Sequence, residues 1–120
     1  MNLIQEVYTQ ISNQEYLKPI DIKIKQVRKG MAWVNRKGKR KITIPKWAIK
    51  QGLFYSTYYI IHELTHFICY DNHLGWGHSK NFLNKEKDIL RQYDLIPKYK
   101  KVYVKELYNL NNKLVWKANW

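Results

Sequence analysis

The chain has 120 residues, enough for one domain (1–120) with a modest core and no need of disulfide staples. Cys69 is the single cysteine, which excludes an internal disulfide and any Cys-x-x-Cys zinc ribbon, and a reducing, cytoplasmic setting is expected. A formal net charge of +13 makes a polyanion the expected partner, without distinguishing DNA, RNA or an acidic membrane face.

The positive charge is uneven. Lys18 to Lys50 holds twelve Lys and Arg with Asp21 as the one acid, and the stretch 51–97 is close to balanced. Residues 2–15 place Leu3, Ile4, Val7, Tyr8 and Ile11 at helical spacing. Pro19 ends that helix and introduces Ile20-Asp21-Ile22-Lys23-Ile24-Lys25, whose strict alternation predicts a half-buried strand. A second strand is expected at 31–35 and a third at 40–44, joined by a turn in which Gly38 tolerates positive φ. Arg36, Lys37, Lys39, Arg40 and Lys41 crowd this hairpin tip, the expected contact for phosphates. A solvated turn would carry the same charges.

Residues 46–52 read as a short helical segment closed by Gly52, with Ser56 or Thr57 as caps of the next helix. That helix runs to about Tyr70. Its apolar stripe is Ile60, Ile61, Leu64, Phe67 and Ile68, and it contains His62, Glu63 and His66, so it is a buried helix and not a membrane span. A loop with Gly75 and Gly77 follows, then a helix at 79–93 with Phe82, Leu83, Glu86, Ile89, Leu90 and Tyr93 on one side. Beyond Pro97, residues 102–108 and 113–120 read as a C-terminal hairpin. The start, Met1 to Glu6, lacks the basic region and cleavage site of a signal peptide.

His62-Glu63-Leu64-Thr65-His66 carries the chemistry. Two histidines four residues apart on a helix stand one turn above each other and can share a metal ion, with Glu63 placed to take a proton from water. A catalytic zinc site needs a third protein ligand. His78, beyond the Gly-x-Gly turn, is ranked first, His73 second, Glu86 third, and Asp71 is less suitable. Tyr70 and His73 are positional candidates for stabilising an oxyanion. Cys69 is expected to be a small buried hydrophobe.

With Gly77-His78-Ser79-Lys80-Asn81-Phe82 downstream of the H-E-x-x-H motif, the chain resembles the SprT-like metalloprotease domain, which includes the Spartan DNA–protein crosslink proteases. The resemblance covers roughly residues 20–95 and implies His62, His66 and His78 as zinc ligands, Glu63 as the catalytic base and Phe82 in the core beneath them. Two features depart from the family pattern. Ser79 stands where the family usually has Gly, in a position to cap the helix. No ribbon cysteines follow, so the hairpin at about 100–120 takes the ribbon's place.

The expected architecture is therefore α+β and zincin-like, a small, mainly antiparallel sheet packed on the active-site helix with flanking helices. The expected function is a zinc metalloprotease acting on DNA-bound or DNA-crosslinked proteins, with no membrane partner. Two alternatives belong to other classes: a metal-dependent hydrolase of a small or phosphorylated substrate, and a non-catalytic nucleic-acid-binding module with a structural metal.

Overall fold

The computed structural model describes residues 3–93, so the hairpin expected at about 100–120 lies outside the described residues. In chain order the described elements are α1 (Leu3–Glu15), β1 (Ile20–Lys25), β2 (Met31–Val34), β3 (Arg40–Pro45), α2 (Lys46–Lys50), α3 (Leu53–Asp71) and α4 (Lys80–Gln92).

Helix α3 is the axis of the molecule. Its 19 residues span about 28 Å at 1.5 Å per residue. Tyr59, Ile60, Ile61, Leu64 and Phe67 are all fully buried, so this helix is apolar over far more than one stripe, as a helix covered on several sides must be. Helices α1 and α4 and the sheet pack around it. It starts a turn earlier than Ser56 or Thr57 would imply. Gly52, at φ 107, is the residue before the helix, and that left-handed backbone lets α2 pass directly into α3. The Ser56 hydroxyl donates to the Gly52 carbonyl at 2.8 Å within this first turn.

The sheet order is β1-β3-β2. Strands β2 and β3 form the expected antiparallel hairpin, but β1 lies parallel to β3 over six residue pairs. The α+β arrangement holds, and the sheet is mixed where a mainly antiparallel one was expected. The most buried strand takes the centre: Ile42 and Ile44 of β3 are buried, while Ile24 on the outer strand β1 is 41% exposed. At the hairpin turn the Asn35 Oδ1 accepts from the backbone N–H groups of Lys37 and Lys39, and Gly38 has φ 78, as its turn position requires.

Strand alternation corrects the reading of Arg40. It shares a face of β3 with Ile42 and Ile44, so its side chain turns inward, where it is 7% exposed. Its guanidinium makes a bidentate pair with Asp71, at 2.9 and 2.5 Å, and lies over the rings of Phe67 and Tyr70. Arg40 thus fastens the sheet to the C-terminal end of α3, where a cation is also favoured by the helix dipole. It is withdrawn from the exposed hairpin tip. Lys41, on the opposite face, pairs at 2.8 Å with Asp21, its neighbour across β1. Arg36, Lys37 and Lys39 remain exposed. Among the described residues no helix is long and apolar enough to cross a membrane.

Candidate metal centre

The two helices that flank the site are each ended by local chemistry that the site depends on. At the C-terminus of α3 the Leu74 N–H bonds the Cys69 carbonyl at 2.8 Å and the His73 N–H bonds that of Tyr70 at 3.1 Å. This is the Schellman pattern, with His73 at the left-handed position, φ 60. His73 is therefore committed to closing the helix, and it lies outside the histidine cluster. The loop then turns at Gly75, φ 83, and Ser79 starts α4 by accepting from the Phe82 N–H at 3.3 Å, a side-chain cap. His78 is delivered at the residue before that cap.

Among the described residues, His62, His66 and His78 bring one ring nitrogen each to within 4.8 Å of one another. The Nε2 atoms of His62 and His78 are 3.2 Å apart. Two ligands at the ordinary zinc–nitrogen distance of about 2.0–2.1 Å on a tetrahedron stand about 3.3 Å apart, so the donor set suits such an ion. Electrostatics agree. Burial, helped by His78, holds the His62 imidazole well below its usual pKa. Burial and the two neighbouring histidines push His66 down to about 3. Burial also lowers His78, with Glu86 pulling the other way. All three rings are thus neutral at pH 7, the form that coordinates metals.

Glu63 lies beside this cluster, 2% exposed. Burial, and then the nearby Glu86 carboxyl, push its pKa up to about 8, the direction that suits a proton acceptor working near neutral pH. Glu63 and the three histidines line one cleft of about 290 Å³, whose other walls include Lys29, Gly30, Met31, Ala32 and Trp76. Trp76 is held over the end of α3, stacked on Tyr70 at 4.7 Å and edge-on to Phe67 at 5.3 Å.

The other residues considered from the sequence have different places. Tyr70 and His73 do not line the cleft, so neither is positioned for the oxyanion. Asp71 is paired with Arg40. Cys69 is buried, outside the cluster, and burial raises its thiol pKa. Glu86 is not in the cluster either. Instead its Oε2 is 2.6 Å from His62 Nδ1 and its Oε1 accepts from the Tyr58 hydroxyl at 3.2 Å. Two further contributors carry no motif. Gly30 donates its N–H to the Tyr59 hydroxyl at 2.7 Å, and Lys29 sits on the cleft wall. A glycine at a strand entrance was the only available sign, since such glycines can mark close backbone approach.

The fold is similar to that of a known enzyme. The crystal structure of the metallopeptidase zymogen of Methanocaldococcus jannaschii jannalysin superposes with a TM-score of 0.60 at 22% identity, over 92% of this chain and 99% of that one. This chain therefore has a small metallopeptidase fold. No protein-family model matches it, and no curated protein matches it.

Proposed function

We propose that the chain is a zinc-dependent metallopeptidase. One observation carries the reading: three histidines converge beside a buried carboxyl in a single open cleft. His62, His66 and His78 would hold the ion. Zinc supplies, when bound, a Lewis acid that makes water acidic near neutral pH. Glu63 takes the proton of the attacking water on a carboxylate oxygen and returns it to the leaving amine. Strand β2 is an edge among the described residues, and Met31 and Ala32 border the cleft, so an extended peptide has a backbone to pair with. Trp76 and Met31 offer it apolar surface.

The finer reading is a SprT-like enzyme acting inside the cell on proteins bound or crosslinked to DNA. Its support is the spacing of the two histidine motifs and the basic surface. Arg36, Lys37 and Lys39 at the exposed tip, with Lys41 half-buried behind them, would meet phosphates. The test is cleavage of a DNA-bound protein, and of the same protein free, by the purified chain with zinc. Glu63→Gln should lower the rate about 10²–10⁴-fold and leave zinc and DNA binding intact. Wild-type protein that cleaves neither substrate would refute the peptidase. Equal cleavage of free and DNA-bound protein at all salt concentrations would refute the DNA-directed part.

A further inference from the structure

We infer that Glu86, anchored by Tyr58, is a positioning residue that holds His62 in the tautomer and ring orientation needed at the metal centre. This rests on the metallopeptidase reading above.

Glu86 is the acidic member of a buried face of α4 that otherwise presents Phe82, Ile89 and Leu90. It is 2% exposed. A carboxyl is costly in such surroundings unless its oxygens are paired, and both are. Oε1 accepts from the Tyr58 hydroxyl at 3.2 Å, and Oε2 meets His62 Nδ1 at 2.6 Å. Both oxygens are directed to these partners, and Glu86 is not among the described residues whose donor atoms converge, which separates it from a ligand role. An apolar side chain would fill the same face at lower cost, so the carboxyl's value lies in what it does to His62.

That effect follows from imidazole chemistry. The neutral ring carries one N–H, and the nitrogen opposite it is the ligand. With the proton on Nδ1 donated to Glu86, Nε2 is bare and faces Nε2 of His78 at 3.2 Å. Without an acceptor at Nδ1, the proton is free to occupy Nε2 and block the site. The arrangement is a product of helix spacing. Tyr58 precedes His62 by four residues on α3, so both side chains reach one carboxyl across the helix interface. On α4, Phe82 precedes Glu86 by the same interval, and its ring packs against His62, His66 and His78 with centroids 5.0, 4.6 and 5.0 Å away. Helix α4 therefore contributes a ligand just before its first turn, a packing surface in that turn and an orienting group in the next.

The experiment uses the full chain carrying Glu63→Gln, which removes self-cleavage, and compares that parent with Glu86→Gln and Tyr58→Phe added. Zinc affinity is measured by competition with a chromophoric chelator, metal-free stability by thermal melting, and the His62 tautomer by ring nitrogen spectra of metal-free protein. Glu86→Gln should weaken zinc binding about 10–100-fold and leave the metal-free melting temperature level or raised, because a buried ionisable group is removed. Tyr58→Phe should weaken zinc binding less than Glu86→Gln does. Recorded above pH 8, because burial pushes the Glu86 carboxyl up to about 8, the parent should show one tautomer protonated at Nδ1, and Glu86→Gln a mixture. Zinc affinity of Glu86→Gln within about twofold of the parent overturns the inference, given the larger loss that such outer partners ordinarily produce. So does a loss that merely tracks a lowered metal-free melting temperature. A parent that binds no zinc overturns the metal reading itself, and this inference with it.

Discussion

Replacing Gly30 by alanine tests how the cleft wall is built. A Cβ at this position would lie 2.8 Å from the Tyr59 hydroxyl oxygen and 2.9 Å from the Thr43 carbonyl oxygen, with Tyr59 Cε1 closer still. Neither neighbour can yield easily. Thr43 is backbone of the central strand, and the fully buried Tyr59 ring is flanked by Trp47 and Tyr55 at 6.0 and 6.3 Å between centroids. Forcing a methyl group into a packed site costs about 1–3 kcal/mol. Displacing the Gly30 N–H from the Tyr59 hydroxyl adds about 0.5–1.5 kcal/mol, for a total of about 1.5–4.5 kcal/mol. Gly77 is the matched control, since a Cβ there meets nothing within 4 Å, and Gly77→Ala should stay within about 0.5 kcal/mol of wild type. Urea unfolding at equilibrium reads both variants through the midpoint at constant slope. If Gly30→Ala proves as stable as Gly77→Ala, the close approach of β2's entrance to Tyr59 is refuted.

Arg40→Gln should destabilise the protein by about 1–3 kcal/mol, less than for a fully buried pair, because Asp71 is 32% exposed. DNA affinity of that variant should not change beyond its loss of folded protein, whereas neutralising Arg36, Lys37 and Lys39 together should weaken binding and flatten its salt dependence; filter binding at several salt concentrations separates the two. His73→Gly relieves a left-handed non-glycine residue at the end of α3 and should raise stability by about 0.5–1 kcal/mol by the same urea assay. A loss of stability there would mean that the His73 side chain makes a contact worth more than the backbone strain.

What was legible in the sequence is what depends on neighbours along the chain. The H-E-x-x-H spacing, the apolar stripe from Ile60 to Ile68, the turn at Gly38 and the cap at Ser79 are local patterns, and the structure has each of them. His78 was reachable because two glycines mark a chain reversal just before it. Three features were hidden because their partners are distant in sequence. The parallel pairing of β1 with β3 joins residues twenty apart, and a solvated Lys face reads alike in either direction. Glu86 looked like a spare ligand until its two oxygens were seen to be taken by Tyr58 and His62. Arg40 is the instructive miss. Its parity with Ile42 and Ile44 already pointed it inward, but the charge density of the hairpin tip outweighed that signal, and Asp71 lies 31 residues away.

Zinc stoichiometry tests the central claim most directly. Metal-free protein is titrated with zinc as wild type, His78→Ala and His73→Ala, and bound metal is counted after gel filtration. The geometry predicts one tightly bound zinc per chain in wild type and in His73→Ala, and its loss in His78→Ala. Full zinc occupancy in His78→Ala, or loss in His73→Ala alone, would contradict the three-histidine centre.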